Sequence, residues 1–177
     1  MCAVLIRVEG ELTSRYTIRN EIGYIIRKME EIPDDRRIFG AFGTVCSDDP
    51  QKIIHEFMAL KRALGHDKGR LAEHIVLSFG EKPPLDQRTM EKTVRKIVGF
   101  WAKKYQVFFG VHEHANELGQ PNWHIHILIS LSDLTTGKKG DIRNKTLLKF
   151  KKKAERAFRK TLERERERHN QAMEGKS

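Results

Sequence analysis

The sequence predicts an α+β fold, in which a largely antiparallel sheet of about five strands is backed by helices. Segments with strand patterns alternate with segments that have the apolar spacing of helices, two late strand segments flank a polar loop, and the last part of the chain is helical and basic. These three observations favour one layered domain. We expect residues 1–135 to form its body and residues 136–177 to add a basic helical extension to the same domain.

Five segments are rich in β-branched and aromatic residues, and we predict them as strands: 2–8, 37–46, 74–79, 106–112 and 123–130. In the second of these, Gly40 and Gly43 indicate a bulge or a close approach of another chain segment. A turn over residues 80–84 closes the third. The last two strands are joined by a polar loop over residues 113–122, which is typical of a hairpin.

Four segments carry apolar residues at intervals of three and four, and we predict them as helices: 17–30, 50–65, 86–105 and 144–168. Ser47, Asp48 and Asp49 offer N-caps for the second helix, which has Pro50 in its first turn and ends near Gly65. The last helix has a stripe of apolar residues along one side: Leu147, Phe150, Ala154, Phe158 and Leu162.

The composition excludes several classes of protein. No apolar stretch reaches the length of a membrane span or resembles a secretory signal, so we expect no membrane insertion. The chain has 2 cysteines, Cys2 and Cys46, which cannot make a disulfide scaffold. This usage is typical of a reducing compartment, and we expect a cytoplasmic protein.

The positive charge of the chain is unevenly distributed. There are 34 Lys and Arg against 24 Asp and Glu, a net charge of +10, and residues 131–177 hold 15 of these basic residues against 7 acidic ones. A basic balance favours a polyanionic partner, with nucleic acid ahead of a membrane surface. The alternative is a solvated basic tail without a partner.

Three histidines, His112, His124 and His126, are predicted to lie on one face of the hairpin. Side chains alternate along a strand, so His124 and His126 project from the same face about 7 Å apart. His112 lies at the end of the preceding strand and would face His124. Three neutral imidazoles can bind one divalent metal ion. Three nearby acids could orient the rings: Glu113, Glu81 and Asp86.

The same pattern has other interpretations. Histidines at alternate strand positions can be surface or structural residues, and the spacing also fits a cupin-like metal site or a metal hydrolase. His114 falls in the predicted loop, where it could be a ligand, a DNA contact or an ordinary polar residue.

Two hydroxyl side chains lie at positions that packing does not explain. In the first helix the isoleucines and Met29 form a stripe, and Tyr24 lies well away from it at 100° per residue. Tyr24 is therefore either an amphipathic surface residue or a phenol presented to a cleft, where it could act as a nucleophile. Ser78 lies inside a predicted strand, where a buried hydroxyl needs a hydrogen-bond partner.

Taken in order along the chain, these segments resemble the three motifs of the conjugative and mobilisation relaxases. EIGYIIRKM (21–29) is similar to the first motif, HIVLSFGEKPPLD (74–86) to the second and VHEHANELGQPNWHIHILIS (111–130) to the third, while GTVCSDDPQKIIHEF (43–57) resembles the segment between the first two. These relaxases belong to the HUH endonucleases, named after a His-hydrophobic-His motif. The resemblance covers residues 1–130.

The resemblance implies a function and a set of site residues. It implies Tyr24 as nucleophile, Ser78 as a DNA contact near the nick, and His112, His124 and His126 as ligands of a divalent ion. That ion would be Mn²⁺ or Mg²⁺ in the cell, with Zn²⁺ or Ni²⁺ possible in a purified sample. The implied reaction nicks and rejoins single-stranded DNA at a transfer origin through a 5′-phosphotyrosine, with accessory mobilisation proteins as further partners.

The chain departs from the family pattern at three points. The usual Asp two residues after the first histidine is His114, the closing Asn is Ser130, and the loop before the histidine pair is longer. Relaxases are also commonly longer, so we expect either an isolated nuclease domain or a minimal protein.

Two alternatives stay open at this point. Rolling-circle replication initiators and related transposases place their tyrosine after the histidine pair, whereas no tyrosine follows His126 here. A non-catalytic, basic nucleic-acid-binding protein that keeps the fold is the second alternative, which His114 and Ser130 favour. Tyr16, directly before the predicted first helix, is another tyrosine that could take part.

Overall fold

A computed structural model describes residues 3–8, 12–30, 32, 36–80, 82–115 and 121–174. Its strands are β1 (Val4–Arg7), β2 (Phe39–Phe42), β3 (Ala72–Gly80), β4 (Val107–Ala115) and β5 (Pro121–Ser130). Its helices are α1 (Arg15–Glu30), α2 (Pro50–Ala63), α3 (Gln87–Ala102) and α4 (Asn144–Glu174). The α+β class with five strands and a long C-terminal helix is as the sequence predicts.

The five strands form one antiparallel sheet in the order β1-β3-β5-β4-β2. The hairpin strands β4 and β5 therefore lie in the sheet interior, and β1 and β2 are its edges. Within the hairpin His112 pairs with His124 across the strands. Since cross-strand partners project from the same face, this register decides which side chains meet.

Helices cover the sheet on both faces. On one face, α3 and α4 pack through residues such as Trp101, Phe150 and Phe158 against the odd-numbered positions of β5, which include Ile125 and Ile127. On the opposite face, α1 and α2 form a second cluster with Phe108 and Leu128. We call these the α4 layer and the α1 layer. The three histidines share the parity of Leu128 and Phe108, so they lie on the α1 side of the sheet.

Three element boundaries differ from the sequence prediction. The hairpin strands extend to Ala115 and start again at Pro121, so Glu113 and His114 belong to β4 and not to a loop. Pairing with Trp123 and Asn122 extends the ladder past the polar residues that suggested a loop. β2 is shorter because Gly43 leaves the strand with φ +70°, a value that suits glycine.

The last helix is longer than predicted and continues to Glu174. Its buried residues end at Phe158, and beyond Leu162 most side chains are exposed. The alternating Glu and Arg residues 163–168 therefore lie on the solvated part of the helix. The first half of α4 is integral to the core, and the boundary at residue 135 stays a prediction.

Aspartates cap the starts of two helices, and Asp49 is among the caps that the sequence predicts for α2. The Asp49 carboxylate accepts hydrogen bonds from the backbone of Gln51 at 2.9 Å and of Lys52 at 3.1 Å. The Asp86 carboxylate accepts from Thr89 N at 3.0 Å, and hydrogen bonding with Thr89 lowers the pKa of Asp86. In the part of the chain that the structure describes, no helix combines the length and the apolarity needed to cross a bilayer.

Candidate active site

The hairpin brings the three predicted histidines together. The ring centroids of His112 and His124 are 5.4 Å apart, those of His124 and His126 are 4.8 Å apart, and those of His112 and His126 are 4.3 Å apart. All three rings are buried, and His112 has no exposed surface. We call these residues the histidine triad. A β-hairpin gives this geometry because two rings are alternate residues of one strand and the third is a cross-strand partner.

Each ring of the triad is oriented by a hydrogen bond at one nitrogen. His112 Nε2 lies 2.7 Å from the Ile25 carbonyl oxygen, His124 Nδ1 lies 2.9 Å from the Asn122 carbonyl oxygen, and His126 Nδ1 lies 2.9 Å from His74 Nε2. A carbonyl oxygen only accepts, so His112 and His124 donate at these nitrogens. The other nitrogen of each of these two rings then carries a lone pair that can bind a metal.

The triad fits a divalent metal ion. One nitrogen from each ring can be chosen so that all three lie within 4.8 Å of one another. Two nitrogens that each lie about 2.1 Å from one ion are at most about 4.2 Å apart, so small movements of the rings would close this set around a single ion. Three neutral imidazoles suit first-row divalent ions and leave further coordination positions for oxygen ligands. The donor set and its spacing thus support a divalent metal cofactor.

Tyr24 lies beside the triad. Its ring centroid is 5.7 Å from that of His126 and 6.2 Å from that of His112, in edge contacts. The side chain is 40% exposed, whereas Ile22 and Ile25 on the neighbouring face of α1 are fully buried. The helical periodicity predicts this exposure, because it places Tyr24 away from the apolar stripe of α1. The bond from His112 to the Ile25 carbonyl joins α1 to the sheet at the residue after Tyr24.

Tyr16 is placed differently. It lies in the first turn of α1 and is 70% exposed. Eight residues separate it from Tyr24, which is about 12 Å along a helix. The structure therefore brings Tyr24, and not Tyr16, to the histidine triad.

Ser78 lies next to the triad on the neighbouring strand. It is the cross-strand partner of His124, so its side chain projects from the same face of the sheet. Its hydroxyl donates to Asn122 Oδ1 at 2.8 Å, which supplies the partner that a half-buried hydroxyl needs. The sequence prediction missed Asn122. Its position two residues before His124, on the same strand parity, was the available signal.

Two of the acidic residues expected to orient the histidines contact other groups instead. Glu113 accepts from Lys82 Nζ at 3.1 Å, because its odd position in β4 gives it the opposite parity from His112. Asp86 caps α3. Glu81 lies outside the described residues. The expectation for Glu113 and Asp86 is therefore wrong.

A histidine and a glutamate occupy the position behind His126 instead. His74 Nε2 lies 2.9 Å from His126 Nδ1, and His74 Nδ1 lies 2.5 Å from Glu21 Oε1. His74 is buried, and its ring centroid is 5.1 Å from that of His126. Sequence reasoning missed both residues as site residues. The signals were the shared parity of His74 and Ser78, and the spacing of one helical turn between Glu21 and Tyr24.

Two of the three departures from the family pattern are single residues in β4 and β5. The backbone of His114 pairs with Asn122 in the hairpin, and its side chain lies outside the described residues. Ser130 is fully buried at the end of β5, where it pairs with Ala72.

Comparison with known proteins decides the family. The sequence profile of the family described as relaxase, MobA/VirD2-like, nuclease domain, matches residues 24–165, which is most of the chain. The chain belongs to this family. It is a DNA relaxase domain and thus an enzyme, and the matched region begins at Tyr24 and includes the histidine triad and much of α4.

Solved structures agree with this relaxase fold. A metal-bound complex of the conjugative relaxase TrwC with oriT DNA superposes with a TM-score of 0.50 at 16% identity, covering 93% of this chain and 70% of that one. A complex of TrwC with mutant oriT DNA has a TM-score of 0.53 at 13% identity, covering 94% and 70%. No relative among curated proteins matches the chain by sequence.

Proposed function

We propose that this relaxase domain nicks and rejoins single-stranded DNA at a specific site, using Tyr24 as nucleophile and a divalent ion held by the histidine triad, in the transfer of a plasmid or another mobile element. The observation that carries the proposal is the placement of a partly exposed phenol 5.7 Å and 6.2 Å from two rings of the triad, measured between centroids. The TrwC structures, one with oriT DNA and a bound metal and the other with mutant oriT DNA, support the same substrate and cofactor class here.

The proposed reaction is a transesterification. The Tyr24 oxygen forms a bond to the phosphorus of the scissile phosphodiester and loses its proton, while the bond from phosphorus to the 3′ oxygen breaks and that oxygen takes up a proton. The products are a 5′-phosphotyrosine and a free 3′-hydroxyl. One phosphodiester is exchanged for another, so the same step in reverse rejoins the strands without a nucleotide cofactor.

The side chains of the site have separate tasks in this reaction. The rings of His112, His124 and His126 would hold the ion, and the chemistry that it supplies when bound is positive charge beside a non-bridging phosphate oxygen. Imidazole ligands favour Mn²⁺ over Mg²⁺, while Zn²⁺ or Ni²⁺ would also occupy such a site in a purified sample. Ser78 lies beside His124 and would contact the DNA next to the nick.

An open part of the sheet suits the DNA strand. Val4 and Ile6 of edge strand β1 pair with Ser78 and Val76, so they lie on the histidine face, and they are 57% and 50% exposed. We call these two residues the edge strip. Apolar side chains beside a phosphate-handling site are a suitable surface for unstacked bases.

A groove on α1 carries two arginines. Arg19 and Arg27 line this groove of about 340 Å³ together with Asn20, Gly23, Ile26 and Glu30, on the same helix as Tyr24. Two guanidinium groups there would bind phosphates on either side of the nick. Accessory mobilisation proteins, which the resemblance implies, remain part of the proposal.

The first test is covalent capture of DNA. The protein is incubated with a pool of single-stranded oligonucleotides and Mn²⁺, and adducts are separated on a denaturing gel and their strands sequenced. We expect one cleavage site, loss of the adduct in Tyr24→Phe, and an unchanged adduct in the matched control Tyr16→Phe. DNA bound without any adduct would favour a non-catalytic nucleic-acid-binding protein instead.

The second test concerns the metal. His124→Ala removes one ligand without touching the contact between His126 and His74. We expect this variant to lose Mn²⁺ binding and to nick at least about a hundredfold more slowly, since positive charge at a phosphate contributes several kcal/mol to the transition state. Full activity of the wild-type protein in EDTA would contradict the metal role.

A further inference from the structure

We infer that His74 and Glu21 are positioning residues that orient His126 for metal binding, and that they replace the carboxylate that the family motif places two residues after its first histidine. The inference rests on the proposed function, because it needs a metal at the triad. The motif position of that carboxylate is His114 in this chain. The structure instead shows a chain of hydrogen bonds that starts on α1, crosses β3 and ends on β5.

The direction of these hydrogen bonds follows from the chemistry of the groups. A carboxylate only accepts, so His74 Nδ1 donates to Glu21 Oε1 across 2.5 Å. The neutral His74 ring then has a lone pair at Nε2, which accepts the proton of His126 Nδ1 across 2.9 Å. That arrangement places the lone pair of His126 at Nε2. If the donor and acceptor roles were reversed, His126 would carry its hydrogen at Nε2, where a metal could then not bind.

The hydrogen bonds that run from Glu21 through His74 to His126 are shielded from solvent, and this favours one tautomer. His74 and His126 are both buried, and the Glu21 side chain is only 23% exposed. Water is therefore a poor substitute for either partner, and the imidazole between carboxylate and ligand is held in one tautomer. Such outer contacts commonly change metal affinity by 10- to 100-fold when they are removed.

The same contacts connect the metal site to the nucleophile. Glu21 lies one helical turn before Tyr24, and Ile25, whose carbonyl accepts from His112, lies directly after it. Helix α1 is thus joined to the triad on both sides of Tyr24 in sequence, to His126 through His74 and to His112 directly. His74 and Glu21 therefore fix both the orientation of the His126 ring and the position of α1.

The experiment measures Mn²⁺ affinity by titration calorimetry, without DNA. We expect His74→Ala to weaken Mn²⁺ binding about 10- to 100-fold. His74→Gln should recover most of that loss, because the amide oxygen of glutamine can take the place of Nε2 as acceptor. Glu21→Ala should lie between wild type and His74→Ala, since the His74 ring stays but loses the group that fixes its tautomer.

His66→Ala is the matched control. The His66 ring also makes a hydrogen bond, with 3.2 Å between its Nδ1 and the Ser132 hydroxyl. We expect the His66→Ala variant to bind Mn²⁺ as the wild type does. Rescue by His74→Gln separates orientation of His126 from a general effect of the mutation on folding. Mn²⁺ affinity within twofold of wild type in both His74→Ala and Glu21→Ala would overturn the inference while leaving the proposed function intact. A wild-type protein that binds no Mn²⁺ would overturn both.

Discussion

The tautomers of single side chains decide what this site can do. Each imidazole of the histidine triad donates or shares a hydrogen bond at one nitrogen and presents the other, and the partners are two backbone carbonyls and one further histidine. Periodicity places His112, His124 and Tyr24 on the faces where the structure has them, because strand parity and helical spacing are local properties of the sequence, and the family resemblance assigns their roles. His74 and Glu21 could not be found in this way, since their contact joins residues 53 positions apart.

A buried lysine outside the site gives a pH prediction at the same scale. Lys61 of α2 is fully buried and its Nζ donates to the Leu71 carbonyl oxygen. Burial lowers the pKa of Lys61 from 10.5 to about 8, with a further contribution from the nearby charge of Lys139. Below pH 8 both the folded and the unfolded chain hold the proton, and the folded state bears the full penalty of a buried charge.

The penalty disappears as the pH rises. Between about pH 8 and 10.5 the unfolded state binds more protons at this residue than the folded state, so the contribution of Lys61 to the free energy of unfolding increases with pH. From pH 7.5 to 9.5 we expect wild type to gain about 2 kcal/mol relative to Lys61→Met. Urea unfolding at the two pH values checks this, and parallel changes in the two proteins would contradict it.

At the scale of elements, the sequence predicts the number and type of helices and strands better than their pairing. Repeated apolar spacing identifies α1 to α4, and the β-rich segments identify all five strands. The order β1-β3-β5-β4-β2 depends on long-range pairing, such as β1 with β3, for which local patterns carry no signal. The hairpin extension through Glu113 and His114 was missed for the same reason: polar residues suggested a loop, whereas cross-strand pairing kept them in the ladder.

The edge strip gives a prediction for β1. If bases lie on the histidine face beside Ser78, a negative charge at Ile6 should repel the DNA strand and remove an apolar contact. We expect Ile6→Asp to weaken binding of single-stranded DNA about tenfold, in line with about 1–3 kcal/mol for a base contact. Leu148→Asp on α4, where the side chain is 60% exposed, is the matched control and should have a smaller effect. Fluorescence anisotropy measures both, and equal losses would argue against the edge strip as a DNA surface.

At the scale of the whole molecule, the sheet separates the histidine triad from the basic C-terminal helix. The sequence favours α4 as the element that follows phosphates, through the following residues: Lys149, Lys151, Lys152, Lys153, Arg156 and Arg159. The structure places α4 on the opposite layer from the triad, with its apolar stripe in the core. For a nick at the histidine triad, as we propose, the contacts come from the histidine face of the sheet and from α1, and α4 is left for DNA farther along the strand.

This arrangement predicts different roles for two pairs of basic residues. We expect Arg19→Ala with Arg27→Ala to weaken binding of a short oligonucleotide spanning the nick and to flatten the slope of log affinity against log salt by about 0.7 per lost phosphate contact. Lys152→Ala with Lys153→Ala removes the same charge from the α4 layer. It should leave that short oligonucleotide bound as by wild type and affect only longer strands. A larger loss from the α4 pair on the short oligonucleotide would contradict this division.

The central claim is that Tyr24 attacks a phosphodiester held at the histidine triad. It is tested most directly by locating the covalent DNA on the protein after reaction with Mn²⁺, nuclease trimming and trypsin digestion. Cleavage at arginine separates residues 20–27, which contain Tyr24, from residues 16–19, which contain Tyr16. If Tyr24 is the nucleophile, we expect a nucleotide mass on the peptide of residues 20–27 alone. A nucleotide on the peptide of residues 16–19, or on the one that contains Tyr105, would contradict it.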